Sequence, residues 1–224
     1  MFPLELDLVR HGESESNVAN SRTRHGDDSD FTPEFMARHS TELRLSNRGK
    51  LQAAATREWL KSSNPNIFER IDVSPYARAL ETAGILDLPG AQWNIDYRLR
   101  ERDHGSMENV THSERQRLMK AFLGSQQIHR FYTPMPQGES IADVCNRLRS
   151  FCSFGNDIGE KDRVLIVAHG DVIQSFRIIF EQILPDQFHV SSSMNERSFR
   201  IGNGQVVQYT RVNPENQTDI LKDR

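Results

Sequence analysis

Leu4-Glu5-Leu6-Asp7-Leu8-Val9-Arg10-His11-Gly12-Glu13-Ser14-Glu15-Ser16-Asn17 divides into three parts, and the division decides the fold. Leu4 to Val9 is a short apolar run of strand length. Arg10-His11-Gly12-Glu13 then turns abruptly polar and reactive, and Glu13 to Asn17 begins a helix. Two later segments repeat the plan: Ile71-Asp72-Val73 leads into Ser74-Pro75-Tyr76-Ala77-Arg78, and Val164 to Ala168 leads into His169-Gly170-Asp171. Strands that alternate with helical patterns predict an α/β fold, a mostly parallel central sheet with helices on both faces. Ligands of such sheets collect beyond the carboxyl ends of the strands, and all three reactive runs sit at such ends.

The helical patterns lie between and after these strands. Val172, Ile173, Phe176, Ile179, Phe180, Ile183 and Leu184 follow the spacing of a buried helix face that stops at Pro185. Ile141, Val144, Cys145, Leu148, Phe151 and Cys152 do the same, with Ser140 as N-cap and Asp143 completing a capping pair. A third helix starts near Ser46 and carries Leu51, Ala54, Ala55 and Trp59. Ser198 to Ile201 and Gln205 to Tyr209 flank Gly202-Asn203-Gly204 and read as a hairpin; residues beyond Asn213 read as a polar tail. Two polar stretches, about 18–44 and 103–137, break the alternation, with Phe31, Phe35, Phe131 and Tyr132 as scattered anchors. They are expected to be cap segments inserted over the ligand edge of one domain spanning residues 1–224.

Composition removes several function classes. The 28 Lys and Arg against 31 Asp and Glu give a net charge of −3 over 224 residues, and no long tract of one sign exists to wrap nucleic acid or an anionic membrane. No run approaches the ~20 apolar residues of a membrane span, and Met1 to Arg10 lacks the basic-then-apolar form of a leader. Cys145 and Cys152 lie two helical turns apart, too far to bridge, so a reduced, cytoplasmic protein is expected. The eight histidines show no His/Cys spacing of the kind metals use, so no metal and no cofactor is expected.

The reactive run at Arg10 has a coherent chemistry. A neutral imidazole is a nucleophile near pH 7, and an adjacent guanidinium binds phosphate bidentately while disfavouring protonation of the ring. Gly12 allows close approach to the backbone, and a following helix aims its N-terminus at an anion. The alternative reading of an isolated Arg-His-Gly is that it merely caps a strand. Arg24-His25-Gly26 repeats it, but no strand precedes it and Asp27, Asp28 and Asp30 follow, so the second copy reads as a solvated loop.

Residues 8–17 closely resemble the signature of the histidine phosphatase superfamily, the phosphoglycerate mutase-like proteins. Leu45-Ser46-Asn47-Arg48-Gly49, Ser74 to Ala83, Leu99-Arg100-Glu101-Arg102-Asp103-His104-Gly105, Gln137-Gly138-Glu139-Ser140 and Ala168-His169-Gly170-Asp171 resemble its further motifs in the expected order. The resemblance implies a Rossmann-like three-layer sandwich with its pocket at the carboxyl edge of the sheet. It implies His11 as the nucleophile that becomes phosphorylated, with Arg10, Arg78 and His169 holding the phosphoryl group and Asn17 as a further phosphate contact. Glu101 matches the position of the acid that protonates the leaving group; Asp103 is its rival.

Three readings of function follow. The first is a metal-independent phosphatase acting on a small phosphomonoester through phosphohistidine. The second is a mutase that returns the phosphoryl group to another hydroxyl. The family's mutases carry a tyrosine in the acid motif, where this chain has Glu101-Arg102-Asp103-His104-Gly105, which favours the phosphatase. The third, a non-catalytic phospho-ligand-binding protein, is expected to have lost His11, Arg78 or the acid, and none is lost. The expected partner is a small phosphorylated substrate, with no nucleic acid and no membrane; a homodimer is left open. Cys145, Cys152, Trp59 and Trp93 read as packing or edge residues. His39, His112 and His189 lack a strand-end context, and His104 and His129 are candidates to line the pocket. Arg22, Arg24 and Arg44 reach a second acidic group of the substrate or face solvent.

Overall fold

The computed structural model describes residues 3–63, 68–124, 126–153, 162–194 and 200–212. Five strands, β1 (Glu5–Arg10), β2 (Arg70–Val73), β3 (Asn94–Ile95), β4 (Arg163–Ala168) and β5 (Val206–Thr210), form one sheet in the order β3-β2-β4-β1-β5. The first four run parallel and β5 pairs antiparallel with β1. β4 is central and covered on both faces, which is why Val164 to Ala168 reads as a continuous apolar run, whereas β1 beside it alternates Glu5, Leu6, Asp7 and Leu8 before Val9.

Side chains of successive strand residues point to opposite faces, and this splits the core in two. Leu6, Leu8, Val164, Ile166 and Ala168 pack under α6 (Ile141–Ser153) and α7 (Gly170–Phe180), against Val144, Leu148, Phe151, Val172, Ile173 and Phe176. Val9, Ile71, Val73, Leu165 and Val167 pack under α3 (Asn47–Ser63) and α4 (Ala77–Leu86), against Leu60, Ala79, Ala83 and Leu86. The three layers expected from the sequence are therefore present. The chain leaves β1 toward β2 and leaves β4 in the opposite direction, toward β5. The crevice beyond the carboxyl ends of β1 and β4 is thus the point where strand order reverses, the position that binds ligands in open α/β sheets.

The helix expected to begin at Glu13 to Asn17 is α1 (Glu15–Thr23), which runs into the first polar stretch. The two stretches also hold helices that the sequence did not reveal, α2 (Pro33–Ala37) and α5 (His112–Leu123). Neither α2 nor α5 has a buried residue: α2 is only five residues long, and the apolar positions of α5, Leu118, Met119, Phe122 and Leu123, stay half-buried or exposed. The last helix, α8, spans Pro185–Ser193.

Four other expectations are corrected. The face of α3 is displaced: Leu51 is 72% and Trp59 41% exposed, while Ala53, Thr56 and Leu60 are buried. Close backbone contact of Gly49 with Glu13 and the Thr56 Oγ1 bond to the Gly204 carbonyl at 2.7 Å fix its rotation in place of the larger apolar residues. α7 ends at Phe180; Pro185 opens α8 as its first residue, where a missing N–H is harmless, and Leu184 is exposed. No hairpin forms within the described residues: Arg200 and Ile201 are not strand, and β5 takes β1 as its partner, while 198 and 199 lie outside the described residues, as does the tail beyond Val212. Cys145 is buried in the core, but Cys152 is exposed, and both are free thiols. Among the described residues no helix is long and apolar enough to cross a membrane.

One buried charge in β1 has a measurable consequence. Asp7, 1% exposed, has its pKa raised by burial to about 6, with Gln208 across the strand pair giving only partial relief. A carboxyl with a raised folded pKa contributes stability below its unfolded value, near 4, and loses it as pH climbs through about 6. Asp7→Asn should therefore stabilise the protein by roughly 1–3 kcal/mol at pH 8 and by little at pH 4, as read from urea unfolding at the two pH values.

Candidate active site

The carboxyl ends of β1, β4 and β2 are stitched together beyond the sheet proper. The His11 N–H donates to the Ala168 carbonyl and the Ser74 N–H to that of Val167, each at 3.0 Å. Asn203 Nδ2 donates to the His11 carbonyl at 3.1 Å and to Asn17 Oδ1 at 3.0 Å. Gly12 donates to Thr82 Oγ1 at 3.1 Å, and a Cβ there would lie 2.2 Å from the Gly49 carbonyl oxygen. Only a residue without a side chain fits between the strand end and the start of α3.

His11 is 2% exposed. Its Nδ1 lies 2.6 Å from the Gly12 carbonyl, which has no proton to give, so Nδ1 carries the hydrogen and donates. Nε2 then holds a lone pair, and the Arg78 Nε–H donates to it at 3.3 Å. Burial first, then Arg78 and Arg10, hold the ring pKa well below its usual value, so the imidazole is neutral with its basic nitrogen facing a guanidinium.

Arg78 is itself buried. Its Nη1 donates to the Ser40 carbonyl at 2.7 Å, and its guanidinium lies 4.8 Å from the centre of the Tyr76 ring. Arg10 donates through Nη1 to the Ile201 carbonyl, and its Nε is buried without a partner. Neither arginine has a carboxylate at ion-pair distance among the described residues, whereas Arg38, Arg70, Arg98 and Arg147 each close on an Asp or Glu. Two desolvated guanidiniums beside one imidazole have the charge and the donors to receive an anion.

His169 occupies the N-cap position of α7 but makes no capping bond. It is fully buried, with its ring centroid 5.0 Å from that of His11. Nε2 pairs with Ser74 Oγ at 2.7 Å. Nδ1 has no hydrogen bond and lies 4.0 Å from Glu101 Oε2. Glu101 accepts the Arg102 N–H at 2.9 Å, yet burial and the neighbouring Asp171 push its pKa up to about 7 against the pull of Arg78 and Arg10. The carboxyl therefore exchanges a proton near neutrality.

His11, Arg78, Glu101 and Asn17 share the wall of one small polar cavity of about 110 Å³; Arg10 and His169 do not line it. Asn17 forms a reciprocal capping pair with Ser14 at the start of α1. Asp103 is not on the wall: it is exposed, and its Oδ1 accepts the Gly105 N–H at 2.7 Å. Of the two uncertain histidines, His104 lines the cavity. His129 stacks on His189 at 4.5 Å and reaches Asp186 at 3.2 Å instead. Arg22 pairs with Asp30 and Arg44 with Glu81, and the second Arg-His-Gly copy is an exposed turn. Sequence reasoning missed Ser40, Asn203 and Arg115, which come from irregular segments or from α5.

The model of the histidine phosphatase superfamily (branch 1) matches residues 6–200. The chain is 29% identical over 178 residues to 6-phosphofructo-2-kinase/fructose-2,6-bisphosphatase 1 of Bos taurus, covering 80% of this chain and 33% of that protein, so it spans about a third of that relative's length. It is 29% identical over 192 residues to a 2,3-bisphosphoglycerate-dependent phosphoglycerate mutase of Brucella melitensis, covering 81% of this chain and 84% of the mutase. Among solved structures, the mycobacterial glucosyl-3-phosphoglycerate phosphatase in complex with VO3 superposes with a TM-score of 0.68 at 25% identity, covering 91% of each chain.

Proposed function

The chain belongs to the histidine phosphatase superfamily, and on that premise we propose that it is a metal-independent phosphatase that hydrolyses a small phosphomonoester through phosphohistidine on His11. The observation that carries this is the tautomer of His11: Nδ1–H is committed to the Gly12 carbonyl, and the Nε2 lone pair stands at Arg78, where an anion would be held. Nε2 attacks phosphorus in line with the ester oxygen. Arg10, Arg78 and the Nδ1–H of His169 take the three non-bridging oxygens, so that positioning and preorganised charge do most of the work. As the P–O bond breaks, the Glu101 carboxylic acid gives its proton to the leaving alkoxide. The resulting carboxylate then takes a proton from the water that attacks phosphorus, the P–N bond breaks, and inorganic phosphate leaves with His11 Nε2 restored.

The test is to quench turnover and look for the intermediate. Wild type mixed with a radiolabelled phosphomonoester in excess EDTA should yield phosphoprotein that is labile to acid and stable to base. The label should release mainly as inorganic phosphate. An absolute requirement for Mg²⁺ or Zn²⁺, or acid-stable label, contradicts the mechanism. Label recovered chiefly in a positional isomer of the substrate assigns the chain to the mutase reading instead.

A further inference from the structure

The cavity beside His11 contains a cation that the phosphoryl chemistry leaves unused. Arg115, in α5, lines the same wall. Its hydrogen bonds run from Nη2, to Asn20 Oδ1 at 3.3 Å and to the Met107 carbonyl at 3.2 Å, and its buried Nε has no partner. Among the described residues no carboxylate pairs with it; Glu108 and Arg24 act on it only through space. Arg115 thus shares the condition of Arg10 and Arg78, a guanidinium drawn out of water with no counter-ion, which is unfavourable until an anion arrives. Core packing does not explain its place, because α5 buries no residue. The start of α5 is tied down by the His112 N–H, which donates to Thr23 Oγ1 at 2.9 Å.

We propose that Arg115, supported by Asn20, is the subsite for a second anionic group of the substrate, so that the substrate is a short phosphomonoester bearing a carboxylate or a further phosphate. The planar fork of arginine, with Nη2 partly committed, still presents donors that match either group. The size of the cavity limits the rest of the molecule. At about 110 Å³ it is well below the ~300–1,000 Å³ of pockets that enclose drug-sized ligands, so the part of the substrate held between the two anionic groups is a skeleton of a few carbons. This inference rests on the reading of His11 as phosphoryl acceptor, since that reading places the first anionic group.

Three probes test it: 2-hydroxyethyl phosphate with one anionic group, phosphoglycolate with an added carboxylate, and 1,2-ethanediol bisphosphate with an added phosphate. Wild type should favour one of the last two over the first by at least about 10-fold in kcat/KM, consistent with charged hydrogen bonds gained at Arg115. The favoured probe identifies the group. Arg115→Gln should lose at least about 10-fold more on that probe than on 2-hydroxyethyl phosphate, mainly through KM, with partial recovery in Arg115→Lys. Wild type without preference, or equal losses on all three probes, overturns the subsite. A calorimetric titration of 1,2-ethanediol bisphosphate and phosphoglycolate into His11→Ala, with and without Arg115→Gln, reads binding without turnover. A loss of about 10-fold or more in affinity for one of them supports the subsite even if no probe is hydrolysed, an outcome that removes only the phosphatase reading. Unchanged affinity for both overturns it. Arg115→Lys, which keeps the charge but not the fork, serves in both assays if the Gln variant does not fold.

Discussion

Alanine in place of His11 should lower turnover of an aryl phosphate by about 10⁴-fold or more, the scale seen when a nucleophile that acts as part of a unit is removed. The variant loses Nε2, the only group the proposal gives a bond to phosphorus. Arg10 and Arg78 remain able to bind the anion, so binding of inorganic phosphate should persist while chemistry stops. The backbone at this position is held by the Ala168 carbonyl and by Asn203, contacts that alanine keeps, and circular dichroism should show a native fold. Activity above a few per cent of wild type in a folded His11→Ala protein would rule out the phosphohistidine route.

Glu101→Gln should separate leaving groups. An alkyl ester needs a proton as it departs and should slow by roughly 10²–10⁴-fold, the usual contribution of general acid catalysis. A nitrophenyl ester, whose leaving group is a weak base, should slow much less in the first step. The pH profile gives the sign. The carboxyl donates only while protonated, and burial beside Asp171 places its pKa at about 7, so kcat/KM of wild type on an alkyl ester should fall as pH rises through about 7. That limb should vanish in Glu101→Gln and stay in Asp103→Asn, since Asp103 is exposed and serves the loop at Gly105. If instead Asp103→Asn removes the limb, the two carboxylates exchange roles.

The parts of the fold that rest on apolar pattern were legible. β4 was visible because a strand buried on both faces demands a continuous apolar run, β1 and β2 because short apolar positions stop at a polar, reactive run, and α6 and α7 because a buried helix demands a stripe. The strand ends told more than their composition, since Arg10, His11, Arg78 and His169 converge only because the sheet sets their strands side by side. Where contact is made by backbone or by polar side chains the sequence was silent. The phase of α3 is set by Gly49 and Thr56 and not by Leu51 and Trp59. Ser40 meets Arg78 through its carbonyl, an atom every residue has, and Arg115 stands on a helix that packs no residue into the core. Asp103 against Glu101 was likewise undecidable from spacing, because two residues apart in an irregular segment says nothing about which carboxyl is exposed.

The same convergence governs when the site comes into being. The bond between Arg78 and His11 closes a separation of 67 positions, and that between His169 and Ser74 one of 95. Contacts so far apart in the chain form late, after the entropy of closing the intervening loops has been met. A chain whose β1, β2 and β4 are not yet side by side can hold helices and still lack the clustered arginines and histidines of this site. Catalytic activity is then a stringent report that β1, β2 and β4 have all reached their native neighbours.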